Sequence, residues 1–273
     1  KKNWNWSVGF NLSHNKNMLR KTYNGEDLND KVLGRPVYGI YTFKDEGIVQ
    51  KEEDIPMYLN ASGKQIPLYF QSINNPLRVG GRKIKDQNYD GVIDDKDLYY
   101  AGSTLPAVYG GLNSHLEWKG LSFDVLFSYT ISRKVMNMYK NSAFTFTKDF
   151  GVIMNYFHAG DFWTTSNRDA KYPSLEFADK DYVGQFDGNV DSNIENISFL
   201  RLKQLVIGYQ IPKNWLKGSF IKDANVYLSG ENLFLLTNYS GVDPEIINPY
   251  SGKDDGTQYP LNRKVTLGLN LKF

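Results

Sequence analysis

Residues Asp86 to Asp97 read Asp-Gln-Asn-Tyr-Asp-Gly-Val-Ile-Asp-Asp-Lys-Asp, a spacing of oxygen-bearing side chains that suits a hard cation. Asp86, Asn88 and Asp90 stand at loop positions 1, 3 and 5, with Gly91 at 6, Asp94 at 9 and Asp97 at 12. Val92, at position 7, would offer its carbonyl. Calcium takes about six to eight oxygens, and a glycine at the sixth position permits the sharp turn that folds them inward. Apolar Ile93 at position 8 also fits such a loop. Two features depart from the EF-hand pattern: an aspartate in place of the usual bidentate glutamate at position 12, and a Gly- and Lys-containing stretch, 78–85, where a helix would precede. The loop is therefore EF-hand-like or dockerin-like without paired helices, and a Ca2+ bound there would be structural. An Asx-rich turn that needs no ion is the alternative, since Asp, Asn and Gly are turn formers in any case.

No motif in the chain points to catalysis. His14, His115 and His158 fall in unrelated segments without metal-ligand spacing. No nucleophile elbow, phosphate loop or dinucleotide fingerprint occurs. Carboxylate pairs for glycoside hydrolysis are defined by separation in space, and no pair recommends itself here. The sequence reads as a non-enzyme.

The elements that must carry the loop are strands. Trp4, Trp6, Val8, Phe10 and Leu12 alternate with Asn5, Ser7, Gly9 and Asn11, the period-two pattern of a sheet with two different surroundings. The same alternation runs through Leu121–Ile131, Leu205–Ile211, Val226–Gly230 and Val265–Phe273. Lys119-Gly120 after Leu116-Glu117-Trp118 is a tight hairpin signal. These strands approach about ten residues, the length that crosses a bilayer when tilted. Between them lie polar, Asn/Asp/Gly-rich connections at roughly 13–36, 44–107, 132–196 and 238–261, with a helical turn or two expected near Asp161–Asn167 and after Asp94. Long connections on one side are usual in outer-membrane barrels and uncommon in compact soluble domains. No 20–50-residue repeat and no linker divides the chain.

Composition narrows the class. With 32 Lys+Arg against 30 Asp+Glu among 273 residues the net charge is +2, and the basic residues are dispersed, which argues against nucleic acid. The absence of cysteine excludes disulfides and thiolate metal sites. No apolar run is long enough for a spanning helix, which leaves a barrel open because its alternation hides hydrophobicity. A soluble β-sandwich shares the alternation. Aromatics at 15%, Trp and Tyr near strand ends, and Asn, Ser, Thr and Gly on the opposing faces favour the barrel. Phe273 ends a five-fold apolar alternation, like the closing strand of outer-membrane proteins. The N-terminal residues lack a signal-peptide pattern and read as strand at once, as if the chain begins inside an architecture.

Several blocks resemble the C-terminal part of the SusC/RagA family of TonB-linked outer-membrane proteins. They are Gly34–Gln50, Asp86–Asp97 followed by Ala101–Gly111, Asp161–Asn167 with Ala170–Pro173, Asn196–Pro212, Gly230–Phe234, Tyr239–Glu245, and Tyr259–Arg263 leading to Phe273. Their order matches the family's over nearly the whole chain. The resemblance implies an all-β fold: the last third or so of a transmembrane antiparallel barrel of about 22 strands, with long extracellular loops, residues 1–273 forming one segment that includes the calcium-like loop at 86–97. It also implies active import of large nutrients, oligosaccharides or peptides, across the outer membrane of a Gram-negative bacterium. The partners implied are a SusD-like surface lipoprotein, TonB acting through a plug region outside this chain, the remaining barrel strands and outer-membrane lipid. Tyr99, Tyr100, Phe144, Phe146, Tyr156, Phe157, Phe162 and Trp163 are then candidates for ligand contact, since aromatic faces stack on sugars and fill peptide pockets; packing within the loops is the competing role for each. A soluble calcium-stabilised carbohydrate-binding β-sandwich is the alternative function.

Overall fold

The computed structural model describes residues 4–28, 31–138, 158–178 and 189–273. The first strand, β1 (Trp4–His14), is followed by eight short ones: β2 (Gly39–Thr42), β3 (Asp45–Ile48), β4 (Met57–Leu59), β5 (Gln65–Pro67), β6 (Tyr69–Phe70), β7 (Arg82–Ile84), β8 (Val92–Ile93) and β9 (Tyr99–Ser103). Long strands then return as β10 (Val108–Trp118), β11 (Leu121–Asn137), β12 (Ile194–Gln210), β13 (Asp223–Thr237) and β15 (Lys264–Lys272), with the two-residue β14 (Lys253–Asp254) before the last.

The long strands pair in the order β1-β10-β11-β12-β13-β15, antiparallel throughout, and β14 attaches to the end of β11. Register carries one apolar face across all six. Trp4 pairs with Trp118, Trp118 with Leu121, Leu121 with Tyr209, Tyr209 with Val226 and Val226 with Leu269. A second row runs Trp6, Leu116, Phe123, Ile207, Leu228 and Leu267. These side chains face outward without cover: Trp6 is 59% exposed and Leu267 76%. The sandwich alternative requires such faces to meet another sheet about 10 Å away. Here the wall is a single layer, so the apolar side belongs against hydrocarbon and the alternative is corrected.

The other face is polar, with Asn113, His115, Ser122, Asp124, Thr266 and Asn270 among its residues. His115 Nδ1 lies 2.5 Å from Asp124 Oδ1, and its Nε2 lies 3.3 Å from Glu117. Tyr227 lies across Gly268 of the next strand, where an added Cβ would come within 2.1 Å of the ring. A bulge keeps the faces in phase: Leu126 pairs with Gln204 but Phe127 with Leu202, so Lys203 is an extra residue. The outward set on β12 thereby changes from Leu200 and Leu202 to Leu205, Ile207 and Tyr209, as a one-residue slip requires. Ile211, expected on that face, lies just past the strand, and its amide bonds Ala224 O at 2.9 Å.

The two ends differ. Lys119 and Gly120 turn β10 into β11 with φ of 47° and 87°, the paired positive values of a type I′ hairpin. Residues 211–222 join β12 to β13 at that same end. Connections 15–107, 138–193 and 238–263 all emerge at the other, where β11 and β12, 17 residues each, run past the length that hydrocarbon needs. Their extensions are buried under those connections: Val135, Met136 and Ile197 are inaccessible.

The connections are more ordered than polar loops. Within 15–107 the short strands pair as β2-β9, β3-β7, β4-β5 and β6-β8. They enclose Val49, Ile55, Leu68, Phe70, Leu77, Ile84 and Ile93, joined by Val190 from the next connection. Burying each such side chain is worth about 1.5–3 kcal/mol, enough to fold the segment into a lobe. Of the helical turns expected, the one after Asp94 is a 3-10 turn at Asp95–Asp97, and the one near Asp161–Asn167 is a 3-10 turn at Ala159–Asp161, beyond which Thr164 and Asn167 form a small bridge.

Replacing Leu269 by Arg in the full-length barrel is expected to cost about 2–4 kcal/mol at mid-membrane depth, whereas Lys at Asn270 should be nearly neutral. Unfolding in lipid vesicles measures both, and equal effects would contradict the assigned facing.

Candidate functional site

The acidic loop forms one corner of the lobe. Both oxygens of Asp86 accept backbone amides, from Tyr89 at 2.6 Å and Gly91 at 2.8 Å. Asp97, fully buried, does the same for Gln87 at 2.8 Å and Asp94 at 2.9 Å. Asn88 accepts from the Asp90 amide, Asp90 from the Val92 amide and Asp94 from the Lys96 amide. Gly91 has φ of 83° and sits against Tyr58, where a Cβ would lie 3.0 Å from the ring. Val92 and Ile93 leave the loop as β8, and Ile93 enters the lobe core.

Burial pushes the Asp97 carboxyl above the usual carboxylate range, and the like charges of Asp86 and Asp94 add to that push against the lowering by its two amides. Tyr58 is pushed up to about 12, first by burial and then by Asp86. The donor set is all oxygen, the chemistry calcium prefers, and carboxylates keep lone pairs after one amide each. The residues fit a hard cation by chemistry. Their geometry is that of a self-bonded turn: among the described residues no three acidic or histidine side chains gather as a metal-holding group.

The candidate aromatics separate into three groups. Tyr99 and Tyr100 lie on β9 and are half-buried. The Tyr99 hydroxyl donates to Asp191 Oδ2 at 2.7 Å, and that carboxylate also receives Lys44 Nζ at 2.6 Å and the Asp45 amide at 2.9 Å. Tyr100 meets Tyr41 edge-on at 5.7 Å, with the Arg35 guanidinium 5.3 Å from its centroid. Phe162 and Trp163 are only 3% and 6% exposed. The Trp163 indole donates to Gln50 Oε1 at 3.0 Å, and Gly80 packs against its ring. They are packing residues in this arrangement, the competing role noted from sequence. Phe144, Phe146, Tyr156 and Phe157 lie outside the described residues.

Two buried arginines on the polar face tie this apparatus to the wall, and sequence reading did not single them out. Arg133 of β11 donates to backbone carbonyls of Thr104 at 2.8 Å, Ile247 at 2.9 Å and Pro244 at 3.4 Å, joining the lobe and the 238–263 connection to one strand. Arg201 of β12 pairs with Asp243 at 2.5 Å, and its Nε lies 2.6 Å from Glu245, which also meets Lys203. A signal was present: an arginine between Leu200 and Leu202, and an Asp-Pro-Glu triplet downstream.

Comparison with known proteins places this geometry. No family model matches the chain. The TonB-dependent receptor P26 of Formosa agariphila is 30% identical over 284 residues, 99% of this chain and 27% of the relative. The TonB-dependent receptor SusC of Bacteroides thetaiotaomicron is 26% identical over 276 residues, 100% of this chain and 25% of the relative. The chain is related throughout its length to the SusC-type TonB-dependent receptors. It spans about a quarter of the length of the curated relatives it matches. The RagAB peptide importer in its open-open state superposes with a TM-score of 0.68 at 25% identity, covering all of this chain and 27% of that one. A second RagAB peptide transporter structure gives 0.69 at 23% identity and likewise shows the barrel fold. The SusC/RagA resemblance thus stands, as does the partial antiparallel barrel, and these relatives are receptors and transporters rather than enzymes.

Two outcomes follow from the SusC-type geometry. Arg201→Ala leaves Asp243 and Glu245 without their buried cation, at a cost of about 3–5 kcal/mol, and should open 238–263 to protease added to the purified full-length barrel; unchanged protection would contradict the staple. Burial works against ionising Asp191, but hydrogen bonds from Lys44, the Asp45 amide and Tyr99 outweigh it and hold its pKa below 3.8. Its contribution is therefore present above pH 3.8 and lost as pH falls through the lower folded value. The protection factor of the Asp45 amide, taken relative to the intrinsic exchange rate at each pH, should fall only in that acid window, and Asp191→Asn should remove that change.

Proposed function

We propose that this chain is barrel wall and extracellular-loop apparatus of a TonB-dependent outer-membrane importer of large nutrients, oligosaccharides or peptides. The observation that carries the reading is the coincidence of whole-length similarity to TonB-dependent receptors with a single-layer wall whose apolar face is bare from Trp4 to Leu271. The wall's polar face lines the passage. The lobe at 15–107 and the 238–263 connection stand at the extracellular end, where they meet cargo and a SusD-like lipoprotein that closes the barrel from outside. Energy comes from TonB acting on a plug region of the importer. Barrel shape alone does not select cargo, so loops and passage-lining side chains must do so.

Deleting the gene in its host should abolish growth on, and uptake of, one class of labelled oligosaccharide or peptide. The full-length protein should restore both, and a version lacking the TonB-contacting segment should not. Restoration by that version would remove the energised-import reading.

The Asp86–Asp97 loop is read as a calcium staple within the lobe. Its support is the fully buried Asp97 in a loop with four further aspartates, Asp86, Asp90, Asp94 and Asp95, against one cation, Lys96, which lies 4.0 Å from Asp90 and 3.6 Å from Asp94. The ion would rest on oxygens of Asp86, Asn88, Asp90, Asp94 and Asp97 and the Val92 carbonyl, holding the lobe's shape without entering any reaction. Calorimetric titration of the full-length protein should show calcium binding that Asp86→Asn together with Asp90→Asn removes; no heat at millimolar calcium would leave the self-bonded turn as the whole account.

A further inference from the structure

The short-turn end of the wall carries a rim that the import reading does not use. Lys119, Lys213, Lys217, Lys222 and Lys272 are all exposed there, and none forms an ion pair among the described residues. The neighbouring acids are already engaged. Asp223 accepts from Gln210, and Glu117 faces His115 on the polar side.

Aromatic rings interleave with these lysines. Phe273 continues the outward row Val265, Leu267, Leu269 and Leu271, and Phe220 stacks flat on it at 5.5 Å and 13°. Phe220 is 77% exposed and Trp215 74%. Trp118 lies in the outward row between Trp4 and Leu121, with the Lys119 ammonium 5.0 Å from its ring centre. Trp118, Phe273 and the Phe220 ring stacked on it are on the hydrocarbon side, whereas Lys272 alternates onto the polar face that a plug or any passage-borne segment would meet.

Amphipathic rings sit at headgroup depth, and ammonium groups just beyond them meet lipid phosphates. We propose that this rim binds anionic phospholipid headgroups of the leaflet at the short-turn end, Lys119, Lys213, Lys217 and Lys222 holding phosphate while Trp118, Phe220 and Phe273 lie against the acyl-chain boundary. The inference goes beyond the import reading: it needs the membrane placement of the sheet but no cargo.

The test titrates fluorescent phosphatidylglycerol, and separately fluorescent phosphatidylcholine, against the full-length protein in neutral detergent, reading anisotropy. Wild type should prefer phosphatidylglycerol, and each lysine changed to Gln should weaken that lipid by about fivefold. The K119Q/K213Q/K217Q/K222Q variant should bind both lipids equally, and Phe220→Ala should weaken both. Heat-modifiable gel migration checks barrel assembly. If the four-fold variant does not assemble, wild type alone decides, because the preference must collapse between about 0.1 and 1 M salt. The proposal is overturned by equal affinity of wild type for the two lipids, by lysine variants that keep the preference, by salt-insensitive binding, or by displacement with inorganic phosphate, which would mark a free-anion site. Lysine variants that keep the lipid but lose a periplasmic protein partner overturn it too.

Discussion

In hydrocarbon a strand can satisfy its amides and carbonyls only through neighbouring strands, and this constraint organises the whole chain. Among the described residues, strands β10 to β13 are paired on both sides, while β1 bonds β10 alone and β15 bonds β13 alone. Two edges of such length are untenable in lipid. Closure by further strands on either side follows from those edges, and the similarity to barrel structures some four times longer than this chain is what that closure looks like. Alternation of side chains, the bulge at Lys203 and the I′ turn at Lys119-Gly120 all serve the same end, which is to keep one face apolar while the ladder continues.

Above the membrane the constraint changes. The strands lengthen into water, and their extensions become the floor on which the lobe and the 238–263 connection rest. Burying charge there is expensive, so Arg133 is held by hydrogen bonds to three backbone carbonyls and Arg201 is paired with two carboxylates. These contacts join chain segments more than a hundred residues apart for Arg133, and some forty for Arg201. They give the loop apparatus a fixed seat on a wall whose strands form one antiparallel ladder, β1 meeting β10 and β11 meeting β12 across long connections. Thr104 adds to the seat by donating to Pro249 O at 2.6 Å, and Tyr38 packs against Tyr250 at 4.9 Å.

The wall was legible in the sequence because its pattern is periodic. Trp4 to Leu12, Leu121 to Ile131 and Val265 to Phe273 each declare a face within a dozen residues, and Lys119-Gly120 declares the turn. The lobe was not legible, because β2 to β9 are two to five residues long and pair across distances that no local pattern encodes. Val49, Leu68 and Ile93 look like isolated apolar residues until their strands meet. Ring type marked Phe162 and Trp163 as ligand candidates, yet both are buried, Trp163 against Gly80 and Gln50, far away in sequence. The acidic loop was legible as a motif, while its bonds show how far its own amides consume the oxygens that the motif advertises.

The most direct measurement is depth and environment along β15. Single cysteines carrying nitroxide labels at Val265, Leu267 and Leu269, and at Lys264, Thr266 and Asn270, would be compared in the reconstituted full-length barrel by paramagnetic relaxation from oxygen and from a water-soluble nickel chelate. The account predicts oxygen-dominated relaxation at the first three positions and nickel-dominated relaxation at the second three, alternating residue by residue. Uniform shielding of the odd-numbered positions from both reagents, as in a sealed protein core, would contradict it.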